Sequence, residues 1–216
     1  MKTLHIDIVS DIACPWCAIG YARLKLAMRE LAGELGFNVQ WRAFELNPDQ
    51  DAEPMPILDA LSRKYGRSVA EMEATQSNMM SIAQELGLDF TRMQERYTRN
   101  TFDAHRLVKW AGEQGKQTEM KMALFDAYFG KAVDIADTKI LAGCAESIGL
   151  SAAQAIEILN STDFAQAVRD EETTYQQAGV SAVPAFIINQ QYMIAGAQEP
   201  GTLVEALREI AASAPE

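Results

Sequence analysis

Thr3 to Phe44 is the stretch that most limits what this chain can become. "TLHIDIV" (residues 3–9) alternates, with Leu4, Ile6 and Ile8 on one face, as a strand does. In "AIGYARLKLAMRELAGELG", Ile19, Leu24, Met28, Leu31 and Leu35 recur at helical spacing, and Gly36 is placed to cap the helix. "FNVQWRAF" (37–44) reads as a second strand. The opening is therefore strand, helix, strand. Where the first strand meets the helix stands "DIACPWCAIG" (11–20), with Cys14 and Cys17 two residues apart.

"ELNPDQDAEPMP" (45–56) reads as a loop. After it the pattern is helical for over a hundred residues. Ser68 with Glu71, and Ser151 with Gln154, match capping boxes. Gly66, Gly87, Gly115, Gly130, Gly149 and Gly179 fall where apolar helical runs stop. "VPAFIIN" (183–189) and "QQYMIAG" (190–196) can pair as strands, and Pro200 opens a last helix through "LVEALREIAASA". The chain of 216 residues is long enough to bury a full core, so its cysteines are not needed as scaffolding. A net charge of −11 disfavours nucleic acid and anionic membrane surfaces as partners. No apolar window is long enough for a membrane span, and "MKTLHIDIVSDI" lacks the features of a secretory signal. The expected location is the cytoplasm.

One C-x-x-C supplies two of the four ligands of a structural zinc site. Cys144, His5 and His105 form no second pair at ligand spacing, so no metal is expected. A static disulfide does not suit a reducing cytosol. Redox chemistry explains the position as well as the spacing. At a helix start the first sulfur meets unpaired backbone N–H groups and the positive end of the helix dipole, which stabilise a thiolate. Cys14 is then the exposed nucleophile, and Cys17, one turn later and more buried, resolves the mixed disulfide. Pro15 suits the first helical turn. Trp16 either packs into the core or offers an apolar face beside the sulfur.

"DIVSDIACPWCAIG", "RAFELNPD", "NTFDAHRL", "LFDAYF" and "AGAQEP", in that order, resemble motifs of the DsbA-like thioredoxin superfamily, most closely its FrnE-type branch. The resemblance spans nearly the whole chain. It implies an α/β chain, a thioredoxin fold interrupted by a large all-helical insertion domain. Residues 1–49 and 166–216 would form the thioredoxin-like part and 50–165 the insertion. It also implies a thiol–disulfide oxidoreductase or isomerase, with Cys14 and Cys17 as the redox pair and disulfide-containing proteins or small thiols as substrates. Pro184, in "SAVPAF", matches the proline whose peptide bond is cis opposite the cysteines. The Val183 backbone would then be free to pair with an extended substrate. An ordinary trans proline opening an edge strand is the plainer alternative. A sister branch holds 2-hydroxychromene-2-carboxylate isomerases and kappa-class glutathione transferases, which commonly have serine where this chain has Cys14. Near the last strand the transferases tend to carry an acidic residue followed by arginine; this chain has Ala197-Gln198. Both departures weigh against a glutathione-dependent isomerase or transferase acting on a small aromatic substrate. They leave open glutathione as a thiol partner; no resident cofactor is implied. The relatives admit a homodimer.

Several residues carry two readings. Asn100 or Thr101 suits a helix N-cap, and with His105 and Gln198 Asn100 is a candidate to line the substrate site together with Trp16, Val183 and Pro184. His105 is alternatively a packed or surface histidine, or an electrostatic support for a thiolate. Asp7, if buried, could accept a proton from Cys17, and Asp11 could hold the turn before the helix. Cys144, in "LAGCAESIG", reads as a buried inert thiol, and Met72, Met79 and Met80 as core.

Overall fold

A computed structural model describes residues 1–49 and 53–213. Residues 50–52, in the expected loop and beside the expected boundary at 49/50, lie outside the described residues, as do residues 214–216, where the expected closing helix was to end.

Four strands form one sheet: β1 (Lys2–Ser10), β2 (Leu35–Ala43), β3 (Ala185–Ile188) and β4 (Tyr192–Ala195), in the order β2-β1-β3-β4. β1 and β2 run parallel, as they must when a helix, α1 (Pro15–Glu30), crosses between them. β3 is antiparallel to both β1 and β4. Ile6 faces Val39 on one side and Ile188 on the other. Leu4, Ile6 and Ile8 are buried in the main core with apolar residues of α1 and of the final helix, α9 (Pro200–Ser213). Asp7 points to the opposite face, where α8 (Ala165–Gln177) lies; there the Tyr175 hydroxyl donates to Asp7 Oδ2 at 2.9 Å.

Gly36 is not the cap of α1. The helix stops at Glu30, the chain turns through Gly33 at φ +96°, and Gly36 already belongs to β2 opposite Thr3. Leu35 fits the helical period and the strand equally well, and the pairing with Lys2 claims it for the strand.

Between β2 and β3 the described residues form α2 (Ile57–Tyr65), α3 (Val69–Glu85), α4 (Phe102–Glu113), α5 (Gln117–Phe125), α6 (Thr138–Ser147), α7 (Ala152–Leu159) and α8. Outside the helices a bridge joins Pro56 to Tyr97. α3 starts with a reciprocal capping box, Ser68 Oγ accepting from the Glu71 N–H at 3.3 Å and Glu71 Oε2 from the Ser68 N–H at 2.9 Å. Ser151 caps α7 in one direction only, through the Gln154 N–H. α5 runs on into a π turn, Asp126–Gly130, that buries Tyr128 and Phe129. β2 is an edge strand, and side chains close its free edge. Gln117 accepts from the Trp41 N–H at 2.8 Å and donates to its carbonyl at 3.1 Å, while Glu171 accepts from the Ala43 N–H at 3.0 Å. The Gln117 contacts fasten α5 to the sheet, so that Lys121, one turn on, lies behind the cysteines.

Candidate active site

β1 ends in a turn built on Asp11. Its Oδ1 accepts the Ala13 N–H at 3.1 Å, its Oδ2 the Leu46 N–H at 2.8 Å, and its carbonyl the Cys14 N–H at 3.2 Å. Cys14 is the N-cap of α1, with extended backbone and Pro15 in the first turn. It offers no side-chain cap to the free N–H groups, so their positive potential acts on the sulfur itself. The Cys17 N–H donates to the Cys14 carbonyl at 3.1 Å, which fixes the second thiol one turn along. The Cys14 thiol donates to the Val183 carbonyl at 3.6 Å, and the Val183–Pro184 bond is cis. α1 reaches this close because residue 20 is glycine. A Cβ there would stand 3.0 Å from Pro184 Cγ and 3.2 Å from Phe186 Cζ.

Cys14 is 5% exposed and Cys17 fully buried. The expected order holds, but Cys14 is not an exposed nucleophile: it is nearly buried, with its thiol on the Val183 carbonyl, and it adjoins a cavity. Nor is the Val183 carbonyl free, since the thiol occupies it.

Behind the pair lies a buried polar cluster of Asp11, His105 and Lys121, of which the sequence reading singled out the first two and missed the lysine. Lys121 is fully buried, with its ammonium 3.4 Å from the Ser10 carbonyl and over the rings of Trp41 and Phe125 at 5.4 and 5.5 Å. Burial lowers its pKa from 10.5 to about 8, against the opposing pull of Cys17, Asp11 and Cys14. Burial pushes the Cys17 thiol well above its ordinary range, and hydrogen bonding and charge from Cys14 add to this, while Lys121 draws it down. His105 Nε2 stands 3.5 Å from Asp11 Oδ1 and is otherwise without a partner among the described residues. Burial and Lys121 lower the His105 pKa, so the imidazole is neutral at pH 7. Burial raises the Asp11 pKa, but His105 and the Leu46 N–H outweigh it and the carboxyl ends below its usual range. Within this cluster Lys121 is the cation that favours a Cys17 thiolate.

In front of the pair a cavity of ≈ 820 Å³ opens between Cys14, Pro15 and Trp16 and the residues of α2, α3 and the 96–99 segment. Met72 is buried and Met79 and Met80 pack half-buried against the core, as read from sequence, and Met72 and Met79 also line the cavity. So do Arg96 and Tyr128.

The structure brings Trp16, Val183 and Pro184 to the cysteines and sets the other candidates apart. His105 is 1% exposed and sits behind the wall rather than lining a substrate pocket. Asn100 is engaged locally: its Oδ1 accepts the Phe102 N–H at the start of α4 and its Nδ2 donates to Glu45 Oε2, both at 2.8 Å. Gln198 is exposed and donates to its own turn at the Ala195 carbonyl, 2.7 Å away. Asp7, held by Arg42 at 2.8 Å and by Tyr175, is on the far face of the sheet and no acceptor for Cys17. Cys144 is buried and its pKa is pushed up to about 11, as suits an inert thiol. Among the described residues no helix is long and apolar enough to cross a membrane, and no three His, Cys, Asp or Glu side chains converge as metal ligands. Lys121 had one sequence signal, a lysine between Met120 and Leu124 on an otherwise apolar helix face. Arg96, in "MQERYTRN", had none.

A family model, DSBA-like thioredoxin domain, matches residues 5–208. The chain is 30% identical over 190 residues to the uncharacterized protein YwbO of Bacillus subtilis strain 168, covering 86% of this chain and 87% of that one. Among solved structures, that of the probable DsbA oxidoreductase SCO1869 from Streptomyces coelicolor superposes with a TM-score of 0.94 at 30% identity, over 99% of this chain and 92% of the other. The cytosolic disulfide reductase DsbM from Pseudomonas aeruginosa, solved with GSH, shares the fold at 17% identity and a TM-score of 0.66, over 96% and 98% of the two chains.

Proposed function

The chain belongs to the DSBA-like thioredoxin domain family, and from that premise we propose that it exchanges thiols and disulfides through Cys14 and Cys17. The observation that carries this reading is the placement of Cys14: N-cap of α1, thiol on the Val183 carbonyl, at the end of a ligand-sized cavity. The Cys14 thiolate attacks one sulfur of a substrate disulfide. A bond forms between Cys14 and that sulfur, and the other sulfur leaves as a thiolate. Cys17 then attacks Cys14, displacing the second substrate thiolate and closing the Cys14–Cys17 disulfide. Two electrons pass from the dithiol to the substrate, and two equivalents of an external thiol, together oxidised to one disulfide, return them. Run backwards, the same steps oxidise a dithiol. Glutathione is the thiol we assign to the return step, in the cytoplasm; the glutathione-bound DsbM structure supports that assignment. In this reading residues 1–49 and 166–216 carry the exchange and residues 50–165 shape the cavity.

Equilibration with a series of glutathione redox buffers tests this. Cys14 and Cys17 should oxidise together in one two-electron step while Cys144 keeps its thiol. Independent titration of the two, or no oxidation across the series, would exclude the exchange chemistry.

A further inference from the structure

The cavity beside Cys14 has a charge opposite to that of the chain. Arg63, Lys64, Arg67, Arg96 and Arg99 line it, and Glu53 is the one acidic side chain among the described lining residues, in a protein of net charge −11. Two of the cations are already engaged, Arg99 with Asp134 at 2.5 Å and Lys64 with Asn47 Oδ1 at 3.2 Å. Arg96 is different. It is 2% exposed, yet no carboxylate pairs with it among the described residues. Its hydrogen bonds go to neutral oxygens, Gln76 Oε1 at 3.0 Å and the Met93 carbonyl. Its Nε has no partner, and the guanidinium is otherwise bounded by the rings of Tyr128 and Phe129, at 5.3 and 5.1 Å. A buried guanidinium is costly when no carboxylate meets it; the Tyr128 hydroxyl and the Cys14 thiolate are the groups that favour its charge, and its planar fork suits a carboxylate. Gln76 and Tyr128, which line the same wall, hold it in place.

We propose that Arg96 forms a carboxylate subsite in the cavity beside Cys14, and that the reacting partner is therefore a small disulfide or thiol bearing a carboxylate rather than a polypeptide disulfide. This rests on the exchange chemistry proposed above and names the substrate class of that site. The volume agrees, since ≈ 820 Å³ falls within the range of small-molecule pockets. The burial of Cys14 agrees as well: the residue is 5% exposed and lines the cavity, so a small disulfide that enters the cavity suits it better than one on a folded protein's surface.

The test uses three disulfides of similar length and different charge: 3,3′-dithiodipropionate (anionic), bis(2-hydroxyethyl) disulfide (neutral) and cystamine (cationic). Each is mixed with the reduced full-length protein, and loss of the Cys14 and Cys17 thiols is followed by quenched alkylation. The wild type should react with the dicarboxylate about tenfold or more faster than with the neutral disulfide, although its net charge repels that anion. Arg96→Gln should lose about 10- to 100-fold with the dicarboxylate, the weight of a charge-assisted hydrogen bond, and change little with the neutral disulfide. Arg96→Lys should keep part of the preference. Equal wild-type rates for dicarboxylate and neutral disulfide would overturn the subsite, and this arm decides the matter even if Arg96→Gln does not fold. A fall of Arg96→Gln with all three disulfides alike would also overturn it, since Arg96 would then act on the Cys14 sulfur. Failure of every disulfide to react with the wild type would overturn the exchange reading itself, an outcome distinct from reaction without preference.

Discussion

Replacing Lys121 by Met should make the protein more stable and a poorer catalyst. The side chain is fully buried and close to isosteric with Met, so the change removes charge and little volume. The drop in its pKa from 10.5 to about 8, at about 1.4 kcal/mol per pH unit, corresponds to about 3 kcal/mol of cost for holding the charge inside. Loss of the stacking over Trp41 and Phe125 takes back about 1 kcal/mol, leaving a net gain of about 2 kcal/mol at pH 7. The sign depends on pH. Below about pH 8 the lysine is charged in both folded and unfolded chains, and the wild type carries the whole cost. Between about pH 8 and 10.5 the folded chain is neutral there while the unfolded chain keeps its proton, so wild-type stability climbs. Lys121→Met should lack this climb, and its advantage should shrink as pH rises. Its dithiol should also resolve mixed disulfides markedly more slowly, because the buried Cys17 thiolate loses the cation that draws its pKa down. Urea unfolding of the reduced proteins at pH 7 and 9.5, with acid-quenched trapping of the mixed disulfide, measures both. An advantage that does not change with pH, together with wild-type resolution, would refute the role given to Lys121.

Gly20→Ala should destabilise the fold by about 1–3 kcal/mol in urea unfolding, because the added methyl meets Pro184 and Phe186 at 3.0 and 3.2 Å; unchanged stability would show that α1 and Pro184 can separate freely. Glu45, whose pKa burial and the neighbouring Glu172 raise to about 7, binds a proton in the folded chain over a range where the unfolded chain has lost it. Stability should therefore fall as pH rises from about 4.5 to 7, by up to about 3 kcal/mol, and a calorimetric series on Glu45→Gln should show a flatter profile. Cys144→Ala should leave the rate of Cys14–Cys17 oxidation unchanged, since a thiol with a pKa of about 11 contributes almost no thiolate at pH 7; a change of threefold or more in that rate would contradict this.

The sheet and its attached helices were largely legible because their signals are local. Alternation marked Leu4, Ile6 and Ile8, Pro200 marked the start of α9, and Ser68 with Glu71 marked the start of α3. The error at Gly36 came from Leu35, whose spacing suits both a helix and a strand until Lys2 pairs with it. The cysteine pair and Pro184 could be placed because their roles follow from strand and helix order. The polar groups around them could not. Lys121 and His105 belong to α5 and α4, more than eighty residues from Cys17 in sequence, and reach it through packing. Arg96 follows a short turn with no period, and the opening that α2 and the 96–99 segment leave beside Met72 and Met79, which pack as the core reading expects, has no sequence signal. Asn100 and His105 share a motif, yet one bonds across to Glu45 and the other turns inward to Asp11. Spacing alone does not separate these outcomes.

The intact mass of Cys17→Ser after brief exposure to oxidised glutathione, quenched in acid, tests the assignment of nucleophile and resolving thiol most directly. The variant should accumulate one glutathione, mapped by peptide mass to Cys14, while the wild type treated alongside should carry none and show an internal Cys14–Cys17 disulfide. An adduct on Cys144 in place of Cys14, or a wild type that retains glutathione as stably as the variant does, would contradict it.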